Sequence, residues 1–79
     1  TGYMLSGRTV YMQIVRRIRE LFKSGRIKSN LEIEVHPEVA YYLTKPVLED
    51  LGNSIGRTIS AVVNEQMSRE GYSLMAVSD

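Results

Sequence analysis

The stretch LEIEVHPEVAYYL, Leu31 to Leu43, decides how this chain folds. Leu31, Ile33 and Val35 alternate with Glu32, Glu34 and His36, the period-two pattern of a strand with one wet face. Pro37 ends the strand because it has no N–H to give a sheet ladder. Its fixed φ suits the first position of a helix, and Val39, Tyr42 and Leu43 give that helix an apolar face. Strand, proline and helix meet with no loop between them.

Upstream, Val10, Tyr11, Ile14, Ile18, Leu21 and Phe22 recur at helical spacing, with Gln13, Arg16, Arg17, Arg19 and Lys23 mostly on the other side. Thr9 is the expected N-cap, after a break at Ser6-Gly7. Lys23-Ser24-Gly25 closes the helix with a cation in its last turn and a glycine just beyond. Arg26 to Asn30 form a polar connector.

Downstream, Thr44-Lys45-Pro46 repeats the break-then-proline device. It opens a helix whose inward side is Val47, Leu48, Leu51 and Ile55, with Gly52 and Gly56 punctuating its end. Arg57 to Asn64 is β-branched and reads as a second strand, with Ile59, Ala61 and Val63 on one face. A polar loop, Asn64 to Gly71, leads to a third strand over Tyr72 to Ser78. Tyr72, Leu74 and Ala76 share one of its faces, and Met75 and Val77 the other.

The expected fold is therefore α+β in the order α-β-α-α-β-β, a small mixed three-stranded sheet with helices packed on one face. The connection between the first two strands is long enough for a right-handed parallel crossover. The last two strands, joined only by a loop, are expected to be antiparallel neighbours. Beyond that, strand order does not follow from the pattern.

Length and composition bound the function. Residues 1–79 make one small domain, and 43% apolar residues are enough for a core. There is no cysteine and only one histidine, so neither a disulfide nor a metal clip is expected to staple it. A domain of this size commonly leans on a partner copy or a larger parent chain. No apolar run approaches the roughly 18–20 residues that cross a bilayer, so no membrane partner is expected. The opening TGYML lacks a signal-type core and an initiator Met, and reads as the start of an excised piece.

The net charge of +1 hides an asymmetry: residues 1–28 carry +6 and residues 29–79 carry −5. Arg16, Arg17, Arg19, Lys23, Arg26 and Lys28 are the candidate phosphate-binding residues of that basic segment. The plainer meaning is a solvated helix flank, or complementary faces meeting within the domain or across a dimer. No catalytic constellation emerges. His36 has neither a cysteine nor a nearby serine with which to form a nucleophilic pair, and capping the next helix suits it better. Glu32 and Glu34 share a strand face but lack the further ligands a metal needs. Gly52 and Gly56 make no phosphate-binding glycine motif. Tyr41 and Tyr42 are neighbours on a short helix and cannot both be buried, so they are the candidate interface residues.

Taken in order, these segments resemble the C-terminal small domain of the ribonuclease E/G family of bacterial endoribonucleases. Thr1-Gly2-Tyr3 is similar to the residues after the second cysteine of the family's zinc-binding link, CxxCxGTG. Ile14, Val15, Arg16, Arg17 and Ile18 within RTVYMQIVRRIRE match its I-x-R-x-I helix. Val35, Pro37, Val39, Ala40, Tyr42 and Leu43 match its V-x-P-x-V-A-x-Y-L segment. LEDLGNSIGRTISAVV resembles its leucine-rich helix, glycine and returning strand, and GYSLMAV its closing strand. Thr44-Lys45-Pro46 stands where the family usually has Leu-Asn and a base, and the last loop lacks the family's proline.

The resemblance implies a parent enzyme that cleaves single-stranded RNA by magnesium-assisted hydrolysis in the cytoplasm. Its Mg²⁺ and Zn²⁺ would be bound elsewhere, and no catalytic or metal-binding residue carries over to this chain. What carries over is self-association, with RNA reached through the parent enzyme. Two other readings stand beside it: an independent RNA-binding module using the basic helix, and an interaction domain that shares only the fold.

Overall fold

Ile14, Ile18 and Ile33 are the largest side chains wholly closed off from solvent, and the molecule is arranged around them. The structure, a computed structural model, describes residues 6–78. Thr1-Gly2-Tyr3, which carries the link resemblance, lies outside the described residues. The elements run α1 (Gly7–Lys23), β1 (Asn30–Val35), α2 (Pro37–Ala40), α3 (Lys45–Ile55), β2 (Ile59–Val63) and β3 (Tyr72–Val77). The fold is α+β with a mixed three-stranded sheet, as the pattern implies.

The first helix starts earlier than expected. Ser6, not Thr9, is its N-cap: Ser6 Oγ accepts the Thr9 N–H at 3.2 Å and sits 3.0 Å from Thr9 Oγ1. Both residues are good caps, and the helix takes the one that adds nearly a turn. Val10, Ile14 and Ile18 form its buried stripe. Phe22, placed with that stripe by its spacing, is 46% exposed, because the core ends before the last turn of the helix.

Strand β1 is buried at Leu31, Ile33 and Val35 and half-buried between them. His36 caps α2, its Nδ1 accepting the Glu38 N–H at 3.1 Å, and Pro37 takes the first turn. This helix is a single turn, shorter than the apolar spacing suggests. Tyr42 and Leu43 lie beyond it, their N–H groups donating to Val39 and Ala40 in tightened three-residue turns. Thr44 then caps α3, and Gly56 ends it with φ of 69°, a left-handed conformation that favours glycine. Gly52 does not punctuate the helix; it is buried inside it.

The sheet order is β2-β1-β3. β1 is parallel to β2 and antiparallel to β3, so the last two strands are not neighbours. β1 takes the centre, its buried residues flanked by a strand on each side. Ile33 lies between Ala61 and Leu74. The loop 64–71 has ample reach for this, since two strand spacings are only about 10 Å, or about three extended residues. Two asparagines fasten the parallel pair at its ends. Asn30 Oδ1 accepts the Thr58 N–H at 2.9 Å, and Asn64 Nδ2 donates to Glu34 Oε2 at 3.0 Å.

On the helical side of the sheet, Leu31, Ile33 and Val35 join Ile59 and the helix residues Val10, Ile14, Ile18, Val39, Leu43, Leu51 and Ile55 in one core. The opposite side carries Glu32, Glu34, Ser60, Val62, Ser73 and Met75. Among the described residues no helix is long and apolar enough to cross a membrane.

Candidate functional site

Turning Val10, Ile14 and Ile18 into the core forces Arg8, Met12, Arg16, Arg19 and Lys23 to the outside of α1. There a shallow groove of about 550 Å³ is lined by Arg8, Tyr11, Met12, Val15, Arg16, Arg19, Glu20 and Lys23. Four cations thus share one strip with an aromatic ring and a thioether. Three of the six expected phosphate-binding residues, Arg16, Arg19 and Lys23, meet here. Arg17 instead faces Glu20 at 3.8 Å, and both side chains are about half exposed. Arg26 and Lys28 are exposed on the connector and do not line the groove. Arg8 does line it; its spacing of eight from Arg16 was the signal that could have found it.

The tyrosines continue this strip to the turn after α2. Tyr42 stacks on Tyr11, with ring centroids 6.1 Å apart and planes 20° from parallel. Tyr41 meets Tyr42 edge-on at 5.1 Å and 84°. Tyr11 and Tyr42 are half-buried, whereas Tyr41 is 77% exposed. The turn at Tyr41-Tyr42 places both rings on the outer side, where Gly7, Pro37 and Glu38 complete a hollow of about 420 Å³. Ring pairs of this geometry are worth about 0.5–1.5 kcal/mol each, enough to orient an otherwise free side chain.

Several other polar groups have structural partners. Arg69 Nη1 donates to both Glu38 carboxylate oxygens, at 3.2 and 3.3 Å, tying the loop before β3 to α2. Glu34 is held by Asn64, and His36 by its capping bond. Among the described residues no three His, Cys, Asp or Glu side chains converge as metal ligands. The chain matches no protein-family model, and no curated protein or solved structure matches it.

Proposed function

We propose that this chain is the non-catalytic assembly domain of a ribonuclease E/G-like endoribonuclease acting in RNA processing and decay in the cytoplasm. The ordered motifs from Arg8 to Val77 support the family reading, and the tyrosine ladder supports the assembly role. The observation that carries the assembly role is Tyr41: a large ring, 77% exposed, yet oriented by Tyr42 and Tyr11. Such a preorganised aromatic anchor is what the centre of a protein interface uses. Its counterpart is a second copy of the chain. Hydrolysis of RNA, and the metals it needs, belong to other parts of the parent.

Sedimentation over a range of concentrations tests this. The average mass is expected to rise above the 9.0 kDa of one chain. Tyr41→Ser should weaken the contact about 30-fold, equivalent to the ~2 kcal/mol of an interface hot spot, and leave the fold intact. An unchanged association curve would remove Tyr41 from the interface.

The α1 groove favours a second reading, RNA binding by this chain itself. Arg8, Arg16, Arg19 and Lys23 would take phosphates while Tyr11 offers a stacking face. Four neutralised phosphates predict that log affinity falls with log salt with a slope of about −3. Arg16→Glu combined with Arg19→Glu should abolish that binding without unfolding the chain, since both residues are exposed. Titration with a labelled single-stranded RNA at several salt concentrations checks it. Absence of binding at low salt, or binding indifferent to salt, contradicts this reading.

A further inference from the structure

Among the described residues the sheet has an unguarded edge. β3 bonds to β1 along one side only, and no described strand lies on the other. Its sequence, YSLMAV, contains no charge and no proline, and its pairing with β1 runs without a bulge from Tyr72 to Val77. Charge, proline and bulges are the usual means of keeping an edge strand from adding a neighbour. The other edge, β2, also lacks charge and proline and exposes Val62 and Val63, but α2 and α3 lie against that strand.

A second observation points the same way. Leu31, Ile33 and Val35 are closed off from solvent, but their β3 partners on the same face are not. Ala76 is exposed, and Leu74 and Tyr72 are only half-buried. The helical layer covers the centre of the sheet and stops short of this strand. The apolar layer is left unfinished where the hydrogen-bonding edge is open.

We propose that β3 pairs antiparallel with β3 of a second copy across a two-fold axis, joining two sheets into one of six strands. The inference rests on the self-association reading above but assigns it a surface separate from Tyr41. The N–H and C=O groups along that side of β3, which no described strand meets, are satisfied by another strand. A two-fold places identical strands antiparallel with matching faces on the same side. Tyr72, Leu74 and Ala76 of the two copies then lie side by side beneath both helical layers. Ser73, Met75 and Val77 do so on the opposite face. No residue of the strand brings a charge against its own image, which would oppose pairing. With Tyr41 as a second contact, assembly proceeds beyond a dimer.

The test combines hydrogen exchange and sedimentation on the whole chain. In the wild type, amides in 72–77 should exchange about tenfold more slowly at high than at low protein concentration. The pair Ser73→Lys and Met75→Lys, on the face away from the core, should reduce that protection, weaken this contact about tenfold, and shift assembly beyond a dimer to about tenfold higher concentration. Tyr41→Ser should keep the protection of β3. If the wild type associates but 72–77 exchange at a concentration-independent rate, the edge inference is wrong and self-association stands on another surface. A wild type that remains a monomer throughout overturns both. Should the lysine pair fail to fold, the wild-type exchange comparison decides alone.

Discussion

Ile33→Ala is expected to remove about 2–5 kcal/mol of stability, the range for deleting a large buried aliphatic side chain whose site cannot collapse. Ile33 is fully buried at the middle of the central strand, flanked by Ala61 and Leu74. Strand neighbours on both sides fix the backbone, so the space left by three carbons stays open. A domain of 79 residues holds a reserve of roughly 4–12 kcal/mol, so a sizeable fraction of it disappears. Urea unfolding followed by circular dichroism measures the change. Val62→Ala, on the open face, is the control and should cost about 0.5 kcal/mol or less. A loss below about 1 kcal/mol at Ile33 would mean that β1 is not the centre of the core.

Gly52→Ala sets two opposed effects against each other. Alanine is the better helix former by about 0.8–1 kcal/mol, which favours the variant. Against it, a Cβ at this position would stand 2.5 Å from the Arg57 carbonyl oxygen, where the chain leaves α3 for β2. That neighbour is backbone. It also belongs to the segment fixed by the Arg57 N–H bond to the Gly52 carbonyl and by the Thr58 N–H bond to Asn30. Relieving the contact must shift α3 from the sheet, and overpacking of this kind costs about 1–3 kcal/mol. Because the neighbour is fixed backbone the clash falls in the upper part of that range and wins, for a net loss of up to about 2 kcal/mol in thermal or urea unfolding. Asn53→Ala, one residue on and exposed, should be neutral or slightly stabilising, which separates the clash from helix propensity. A stabilised Gly52→Ala would contradict the close packing of α3 on the start of β2.

Local chemistry made much of this fold legible. Leu31, Ile33 and Val35 announce a strand by alternation, and Pro37 forces its end, so β1 and the start of α2 follow from adjacent residues. His36 was expected to cap and does. The features that did not follow depend on distant residues or on choices between near equals. Ser6 and Thr9 are both good caps, and only the fit of the first turn selects Ser6. Tyr42 and Leu43 carry helical spacing, but α2 ends at Ala40 because the chain must turn into Thr44, the cap of the next helix. The position of β1 between β2 and β3 is a long-range pairing that the short loop 64–71 neither requires nor forbids.

The candidate site was legible to the same depth. Arg16, Arg19 and Lys23 lie on a helix, where period fixes direction, and the groove collects them. Arg26 and Lys28 lie on a connector, where nothing in the sequence fixes direction, and they lie outside it. Adjacent tyrosines on a short turn implied one exposed ring, and Tyr41 is that ring. The stacking of Tyr42 on Tyr11 joins residues 31 apart and needed the fold. The guard residues missing from β3 are visible in YSLMAV, but they acquire meaning only once that strand is known to be an edge.

Sedimentation equilibrium of the wild-type chain, from low to high concentration, bears most directly on the central claim that this is a joining piece between copies. The account predicts an average mass that climbs above 9.0 kDa as concentration rises. A mass that stays at the value of one chain throughout would contradict it.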